Sequence, residues 1–264
     1  MTLEPIEGKW FLVLGASSGF GAAACRKMAK KGMNIFGVHL DRKSTMPMVN
    51  ELIDELKAEG VQVHFFNINI ADPVKRADTL DDMKEILGDK PGIRALLHSV
   101  AFGSLKPYVQ SGNQVTQAQL DMTADVMAHS LVYWTQDLIE RGMLANNSRI
   151  FAMTSSGSTR AMPSYGAVSA AKAALEAHIR QLAMELAPMG ITANAILAGV
   201  TDTPALRKIP GNLEMLEMAA KRNPSGRLTT PEDVAEAIAL FTQPGAYWIT
   251  GNTIGVDGGE NVVC

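Results

Sequence analysis

Short runs of consecutive apolar residues recur along the chain, and they alternate with longer segments whose apolar residues return every three or four positions. A continuous apolar run predicts a strand buried on both faces, and the wider spacing predicts an amphipathic helix. Seven runs predict strands: WFLVLG, NIFGVHL, VQVHFFNI, RALLHSV, SRIFAMTS, TANAIL and NTIGVDGG. Six segments predict helices, several ending at glycine: GAAACRKMAKKG, PMVNELIDELKAEG, VKRADTLDDMKEILG, TADVMAHSLVYWTQDLIERG, AVSAAKAALEAHIRQLAMELAPMG and PEDVAEAIALF.

This alternation predicts the fold class. Buried strands joined by helices imply an α/β chain with a parallel, doubly wound sheet that carries helices on both faces. A length of 264 residues suits a single domain, which we expect to span residues 1–264. The segment 200–228 interrupts the pattern because it is rich in proline, glycine and charge and contains only a short helical piece. It follows a strand end, where doubly wound sheets bind ligands, so it predicts either a lid over the substrate or a passive surface excursion.

Composition excludes several function classes. The net charge of −3 gives no reason to expect nucleic acid or an anionic membrane as a partner. The run from Trp10 to Leu14 is too short to span a membrane and is better interpreted as a buried strand. Cys25 and Cys264 form no CxxC pair and have no histidine-rich neighbourhood, so neither a metal site nor a disulfide framework is predicted. A reducing, cytoplasmic setting fits this cysteine usage.

A glycine-rich motif, GASSGFG, joins the first strand to the first helix. Gly15 permits a tight turn, Gly19 lets the backbone approach a pyrophosphate, and Gly21 lets the helix pack close to the sheet. The start of the helix then offers free N–H groups to the phosphates. A tight turn without a ligand is the alternative interpretation. The motif predicts a Rossmann-like dinucleotide site with contacts from Gly15, Ser17, Ser18, Gly19, Phe20 and Gly21.

The end of the second strand, GVHLDRKS, bears on the choice of dinucleotide. An acidic residue at the tip of this strand binds the adenosine ribose of NAD. His39 occupies the tip, and Arg42 and Lys43 follow, which favours the 2′-phosphate of NADPH. Asp41 could bind the ribose instead, so NADH stays possible.

At this point the whole chain resembles the short-chain dehydrogenase/reductase superfamily. The matching pieces besides GASSGFG are NINIADP, MTSS, LAGVTDT and ITGNTIGVDGG. Six residues separate Tyr165 from Lys172, as in the enoyl-acyl-carrier-protein reductases, and LLHSVAF also resembles that branch. TSSGSTRAMPSYGAVSAAKAALEA and NPSGRL are most similar to the type called reductase III. The resemblance implies a Rossmann-like fold with a seven-stranded parallel sheet.

The spacing of Tyr165 and Lys172 has a chemical interpretation. Carbonyl-reducing relatives place their tyrosine four residues before the lysine, where this chain has Val168. A helix turns by about 100° per residue, so positions four and seven before Lys172 both return near its face. In a 2-enoyl thioester the hydride goes to C3 while charge gathers on the thioester oxygen, two carbons away. An acid displaced along the helix suits that reaction. We therefore interpret valine at position 168 as a sign that the acid has moved to Tyr165.

The resemblance also implies roles for individual residues. Tyr165 would hydrogen-bond the enolate oxygen, and Lys172 would hold the nicotinamide ribose and favour the ionised phenol. Ser155 stands where carbonyl-reducing relatives have a catalytic serine and many enoyl reductases have a second tyrosine. Thr203 would bind the carboxamide, and Ile196–Gly199 would pass close to the ring. The remaining implied cofactor contacts are Asn69 and Ile70 at the adenine, which could equally be plain strand-end residues, together with Ser99, Val100, Ala101, Gly199 and Thr201.

Other residues have weaker interpretations. His98 and His129 are expected to be structural, and Met215 and Met218 to line an acyl tunnel or simply to pack. Arg207, Lys208, Lys221 and Arg222 form a basic cluster that could dock an acidic acyl carrier protein or could be solvated charge. The resemblance further implies a homotetramer with contacts through the helix after Tyr165.

Three functions are compatible with these features. The favoured one is NADPH-dependent reduction of 2-enoyl thioesters in fatty-acid synthesis. A carbonyl reductase of the 3-ketoacyl or hydroxysteroid type is supported by Ser155 but lacks a tyrosine at position 168. A nucleotide-binding protein without turnover is the third.

Overall fold

The computed structural model describes residues 5–89 and 91–263. These ranges contain the strands β1 (Trp10–Leu14), β2 (Asn34–His39), β3 (Val63–Asn67), β4 (Ile93–His98), β5 (Leu144–Thr154), β6 (Thr192–Ala198) and β7 (Thr253–Val256). The α-helices are α1 (Gly19–Ala29), α2 (Met46–Ala58), α3 (Pro73–Leu87), α4 (Gln117–Ala124), α5 (Ser130–Glu140), α6 (Gly166–Leu186), α7 (Asn212–Arg222) and α8 (Pro231–Thr242).

All seven strands lie in one parallel sheet with the order β3-β2-β1-β4-β5-β6-β7. The predicted fold class and the seven predicted strands are therefore confirmed. The strand order reverses between β1 and β4, where connections leave toward opposite sides of the sheet. Doubly wound sheets bind ligands in the crevice at this point, outside the carboxyl ends of the strands. The fold thus places the candidate site at the carboxyl edge of β1 and β4.

Two hydrophobic layers cover the sheet. One face packs against α3, α5 and α6, with Trp134 and Leu175 fully buried there. The other face packs against α1, α2 and α8, with Met28 and Ile238 fully buried. Trp134 also donates a 3.0 Å hydrogen bond from Nε1 to the carbonyl of Ile70. Helices on both faces explain why most strands are apolar along their whole length.

The helix before β5 differs from the prediction in two ways. It begins at Gln117 rather than near Thr123, because Thr116 and Gln119 form a capping box in which each side chain bonds the other's backbone N–H. Its middle, Asp125–His129, widens to a π-helical turn. Apolar spacing did not predict this widening, because a π-helical turn is a single short departure inside an otherwise α-helical segment.

The segment predicted as a lid contains α7, which confirms its short helical piece. The end of α7 is fixed to the segment after β7. Arg222 donates from Nη2 to Glu260 Oε1 at 2.8 Å, and Asn223 donates to the carbonyl of Asp257 at 2.8 Å. Glu260 is buried, so this ion pair anchors one end of α7 while the outer face of the helix stays exposed. That the segment closes over a substrate stays a prediction.

The described residues also bear on the expectations drawn from composition. Cys25 is buried on α1, and burial raises the pKa of its thiol to about 12; Cys264 lies outside the described residues. Within the described ranges, no cluster of His, Cys, Asp and Glu could hold a metal ion. No helix in those ranges is both long enough and apolar enough to cross a membrane.

A close backbone contact positions the glycine-rich loop. A Cβ added at Gly21, near the start of α1, would lie 2.0 Å from the carbonyl oxygen of Gly15. Real side chains do not make such a contact, so α1 can pack this closely only because residue 21 is glycine. This contact fixes the first turn of α1 against the end of β1.

We expect Gly21→Ala to lower the free energy of unfolding by about 1–3 kcal/mol, because backbone must move to admit the methyl group. Urea denaturation monitored by circular dichroism measures this loss. Gly245→Ala is the matched control, since a Cβ at Gly245 would meet nothing within 4 Å; it should stay within about 0.5 kcal/mol of the parent. Equal stability of the two variants would contradict the proposed packing constraint.

Candidate active site

The glycine-rich loop lies against two other segments at the carboxyl edge of the sheet. Gly15 has a φ of +93°, and a Cβ there would lie 2.2 Å from the carbonyl oxygen of Ser99. Gly19 has a φ of +53°, and a Cβ there would lie 3.6 Å from Thr203. The structure thus brings together three predicted cofactor-binding segments, from the ends of β1, β4 and β6. At the start of α1, the side chain of Ser18 makes no capping hydrogen bond, so the first N–H groups of the helix face this crevice as an anion site.

The tip of β2 is arranged differently from the prediction. His39 pairs with Asn67 of β3 and is 3% exposed, because it is still inside the sheet. Its Nδ1 lies 3.0 Å from Asp41 Oδ2. The His39 ring is therefore enclosed at this strand end, and its contact with a cofactor stays a prediction. The chain leaves the sheet only at Leu40, so Asp41 presents the charged group at this strand end.

Asp41 is held by hydrogen bonds from three sides. Thr45 donates to its Oδ1 at 2.8 Å, and Ser17 of the glycine-rich loop and His39 also bond the carboxylate. Partial burial acts to raise the pKa of Asp41, but these hydrogen bonds outweigh it and hold the pKa below its usual value. A carboxylate that is ionised at neutral pH therefore lies beside the loop. Arg42 is exposed immediately after it.

The predicted adenine contacts separate in the structure. Asn69 is exposed and accepts a hydrogen bond from the Ala71 N–H, which closes a turn after β3. Ile70 is 6% exposed and packs in the core below α5. The side chain of Ile70 therefore belongs to the core and does not line an open pocket. The reason is the hydrogen bond between its carbonyl and Trp134, which holds this turn against α5.

The end of β4 contacts both the loop and α6. The N–H of Ser99 donates to the carbonyl of Leu14 at 2.8 Å, which continues the ladder between β1 and β4. The carbonyl of Val100 accepts a 3.3 Å hydrogen bond from Lys172 Nζ. Ala101 is exposed. These predicted contacts do lie together at the crevice.

Lys172 is 5% exposed in α6 and reaches the carboxyl edge of the sheet. Its Nζ also donates to the carbonyl of Met153 near the end of β5, at 2.7 Å. Burial lowers the pKa of Lys172 to about 8, and the negative charge of Glu176, one helical turn away, opposes this shift. Thr154 fixes Glu176 by donating to its Oε1 at 2.6 Å. Glu176 was not predicted as a site residue, although its spacing of four from Lys172 on one helix is a usable signal.

Tyr165 precedes the first residue of α6 and caps the helix. Ser164 before it has a φ of +59°, one of two non-glycine residues in the left-handed region among those described. Such strain is frequent beside functional groups. Because Tyr165 is a cap and not an interior helical residue, the turn before it sets the direction of its ring.

Ser155 lies beside Tyr165, ten residues earlier in sequence. Its hydroxyl is hydrogen-bonded to the phenol and accepts from the N–H of Gly157 at 3.1 Å. A Cβ at Gly157 would lie 2.6 Å from the ring of Tyr165, so this short turn lies flat against the phenol. The structure therefore brings Ser155 and Tyr165 together at the carboxyl edge of the sheet.

The pKa of Tyr165 differs from the expected direction. Burial raises it above the ordinary value, and the hydrogen bond with Ser155 opposes this only in part. That Lys172 favours the ionised form of this phenol stays a prediction. At neutral pH the phenol is protonated and can donate.

Val168, four residues before Lys172, lies in the core. It is 4% exposed, and a Cβ at Gly103 would meet its side chain at 2.8 Å and that of Thr123 at 2.7 Å. The environment is apolar and closely packed. No donor occupies the position that carbonyl-reducing relatives use.

The segment after β6 is closely packed as well. A Cβ at Gly199 would lie 2.3 Å from Thr229 Oγ1, so only glycine fits. Thr201 and Thr203 are buried, and Thr201 donates to the carbonyl of Gly199 at 3.0 Å. Thr203 lies beside Gly19, as a residue near the nicotinamide would.

The histidines near the site have structural roles, as expected. Ser130 donates to the carbonyl of Val126 at 2.8 Å, so it accepts from His98 Nε2 at 2.9 Å. Burial, helped by the charge of Lys172, lowers the pKa of His98 to about 3. His129 pairs with His178 at 3.0 Å. His98 therefore stays neutral across the physiological range.

Two segments carry exposed apolar side chains. Phe102, Tyr108 and Val109 are exposed on the loop after β4, and Leu213 and Met218 are exposed on α7. The ring of Tyr108 packs on Gly166, since a Cβ there would lie 2.6 Å from Tyr108 Cζ. Sequence reasoning missed Tyr108 because nothing local links it to residue 166. Tyr108 therefore lies against the residue that follows Tyr165.

The crevice fits a nicotinamide dinucleotide. The loop glycines leave no room for side chains where a pyrophosphate would approach, and the uncapped start of α1 supplies N–H donors. Lys172 and Thr203 lie at one end of the crevice and Asp41 lies at the other.

Comparison with known proteins gives a family assignment that agrees with this crevice. The sequence model of a family described as Enoyl-(Acyl carrier protein) reductase matches residues 15–261. A Bacillus subtilis (strain 168) protein named uncharacterized oxidoreductase YjdA is 32% identical over 258 residues, covering 96% of this chain and 97% of its own. The 1-cyclohexenylcarbonyl-CoA reductase of Streptomyces collinus is 27% identical over 255 residues, covering 96% and 86%.

A solved enoyl-(acyl-carrier-protein) reductase from Anaplasma phagocytophilum, in complex with NAD, aligns with a TM-score of 0.82 over 100% of this chain and 95% of that one. At 22% identity this likeness concerns the fold alone. The sheet order, the glycine-rich crevice and the match over nearly the whole sequence together show that the chain belongs to the short-chain dehydrogenase/reductase superfamily, as an oxidoreductase that uses a nicotinamide cofactor.

Proposed function

We propose that the protein reduces 2-enoyl thioesters to saturated acyl thioesters, with NADPH or NADH as reductant. The observation that carries this proposal is the position of the acid. The phenol of Tyr165 is protonated, half-buried and seven residues before Lys172, and the position four before Lys172 is the core residue Val168. The description of the matching family and the name of the Streptomyces relative support the same reaction class.

The proposed roles follow from charge and burial. A reduced nicotinamide, when bound, supplies the hydride for C3 of the substrate. Tyr165 donates a hydrogen bond to the thioester oxygen, where negative charge gathers, and Ser155 orients the phenol. Because Tyr165 is largely removed from water, its hydrogen bond to a charged oxygen is stronger than it would be in solvent. Tyr165, on this side of the crevice, assists protonation of the enolate.

Lys172 keeps the positive charge of the site. Burial of the amine disfavours its ammonium form. The carbonyls of Val100 and Met153, which accept its hydrogen bonds, and the charge of Glu176 stabilise that form. We propose that a remaining N–H of this ammonium group holds the nicotinamide ribose. Thr203 would bind the carboxamide from the opposite segment.

An acyl carrier protein is the proposed donor of the substrate. The exposed apolar side chains of the loop after β4 and of α7, among them Leu213 and Met218, are the proposed binding surface for the acyl chain. Of the basic residues predicted to dock the carrier, Arg207 pairs with Asp202 at 2.7 Å, Lys221 with Glu217 and Arg222 with Glu260. These ion pairs reduce the charge available to an acidic partner and leave Lys208 as the strongest candidate of the four.

Carbonyl reduction is the second candidate, and one observation favours it. Ser155, Tyr165 and Lys172 together supply the three kinds of side chain that carbonyl-reducing relatives use, and Ser155 is hydrogen-bonded to the phenol. In that reaction the acid must lie beside the oxygen on the carbon that receives hydride. The seven-residue displacement of Tyr165 from Lys172 weighs against it.

We expect Tyr165→Phe to lower kcat for crotonyl-CoA by about 10²–10⁴-fold, because it removes the donor to the charged oxygen. The measurement is NAD(P)H oxidation with crotonyl-CoA and with acetoacetyl-CoA. Tyr133→Phe is the matched control, since that phenol lies on α5 and bonds Asp125 at 3.0 Å; it should keep full activity. Turnover of acetoacetyl-CoA alone would reject enoyl reduction in favour of carbonyl reduction.

The pKa of Lys172 predicts an alkaline limit to activity. The pKa is lowered to about 8, so the ammonium form that binds the ribose is lost as pH rises through that value, and kcat/KM should fall above about pH 8. Glu176 acts to raise this pKa, so Glu176→Gln should move the fall to lower pH. A pH profile of kcat/KM for the parent and for Glu176→Gln measures the alkaline fall and its shift. An unmoved alkaline limb in Glu176→Gln would show that Lys172 does not control it.

The preference for NADPH or NADH tests whether the residues after β2 recognise the 2′ position of the coenzyme. Removing the negative charge in Asp41→Asn should lower KM for NADPH relative to NADH, because a 2′-phosphate no longer meets an ionised carboxylate. Arg42→Ala should raise KM for NADPH more than for NADH. Steady-state kinetics with both coenzymes give the two ratios. If both variants leave the ratio unchanged, this strand end does not recognise the 2′ position.

A further inference from the structure

Two buried arginines lie at the amino-terminal edge of the sheet, opposite to the candidate active site. Arg94 of β4 is 4% exposed, and Arg149 of β5 is fully buried. Both donate from Nη1 to the same acceptor, the carbonyl of Asn147, and for Arg149 this distance is 2.6 Å. Asn147 has a φ of +56°, the left-handed region that non-glycine residues rarely adopt. The start of β5 is thus shaped around two neighbouring guanidinium groups.

One edge of the Arg149 guanidinium group is unused. Both hydrogen bonds of its side chain come from Nη1, to the carbonyls of Asn147 and Ser148. Its Nε and Nη2 are buried and have no hydrogen-bond partner within the described residues. These two N–H groups form one straight edge of the planar group, the edge that binds both oxygens of a carboxylate. A buried guanidinium edge without an acceptor is costly.

A hydroxyl lies on the same face of the sheet as the Arg149 side chain. Thr192 of β6 pairs in register with Arg149, so the two side chains point to the same face of the sheet. The Oγ1 of Thr192 is buried and also has no hydrogen-bond partner among the described residues. Three unused donor groups therefore belong to two neighbouring residues on one face of the sheet.

The charge of Arg149 is also unbalanced. In the described part of the chain Arg149 forms no ion pair, whereas the partly unbonded guanidinium groups of Arg141 and Arg222 pair with Asp81 and Glu260. Burial, together with the neighbouring charge of Arg94, lowers the pKa of Arg149 to about 10. Arg149 therefore stays cationic at neutral pH and has no ion-pair partner of its own among the described residues.

We propose that Nε and Nη2 of Arg149, with Thr192 Oγ1, bind a small planar oxyanion of the formate, bicarbonate or nitrate type. Two oxygens of such an anion match the guanidinium edge, and its charge balances the arginine pair. Asn146 is exposed and Asn147 is partly exposed, so the turn whose carbonyl accepts from Arg149 lies at the surface. Ser155 lies six positions after Arg149, just past the end of β5, which is about 20 Å along the strand. The anion therefore acts on stability and not on turnover.

Thermal unfolding at fixed protein concentration and ionic strength tests this binding. Sodium formate should raise Tm by about 3 °C for each tenfold increase above its Kd, because it binds the folded chain only. Sodium chloride should raise Tm less, since a single atom cannot take both N–H groups of the edge in line. Equal shifts with formate and chloride would overturn the proposal.

Three variants assign the effect to the site. Arg149→Lys keeps the charge but removes the planar edge, and Thr192→Val removes the hydroxyl at nearly constant volume; each should abolish or reduce the formate-specific shift. Arg141→Lys is the matched control and should keep it. A formate-specific shift that persists in both Arg149→Lys and Thr192→Val would refute the assignment.

If Arg149→Lys does not fold, Thr192→Val and a crystal structure of the parent protein grown in formate decide. Formate in bidentate contact with Nε and Nη2 supports the proposal, whereas water at that edge overturns it. Reductase activity should be the same with and without formate.

Discussion

The candidate active site depends on one buried interaction, the contact of the Lys172 amine with the carbonyls of Val100 and Met153. It joins α6 to the carboxyl ends of two neighbouring strands, so the helix that follows Tyr165 cannot shift without breaking it. The glycine-rich loop is fixed to the same edge by the contact of Gly15 with Ser99. A cofactor crevice and an acid are thereby held to one rigid strand edge, which is what a hydride transfer needs.

Burial acts on the two functional groups in opposite directions. It lowers the pKa of Lys172 and raises that of Tyr165, because in each case the charged form loses solvation. At neutral pH the result is an ammonium group that can still bind and a phenol that still carries its proton. Glu176 limits the first shift, and the hydrogen bond with Ser155 limits the second. The apolar packing that stabilises the fold therefore also sets the protonation states on which the proposed reduction depends.

The two edges of the sheet differ in how they treat charge. At the carboxyl edge, Asp41 and Lys172 have hydrogen-bond partners on several sides and border a crevice. At the amino edge, Arg149 is enclosed, and its Nε and Nη2 have no acceptor in the part of the chain that the structure describes. Enclosing a cation in this way is expensive in a fold whose net stability is small, so a compensating anion there would support the sheet from the side remote from catalysis.

The sequence by itself determined the seven strands, the order of helices and strands, the glycine-rich loop and the displaced tyrosine, because periodicity, glycine requirements and residue spacing are local properties of the chain. Only the tertiary structure decided that His39 is buried and Asp41 faces the loop, since the last ladder pair of β2 requires a partner from β3. The same holds for the contact of Ser155 with Tyr165 and for the packing of Tyr108 on Gly166. Each depends on residues brought together by folding, and burial, which sets both pKa values, exists only once the layers have packed.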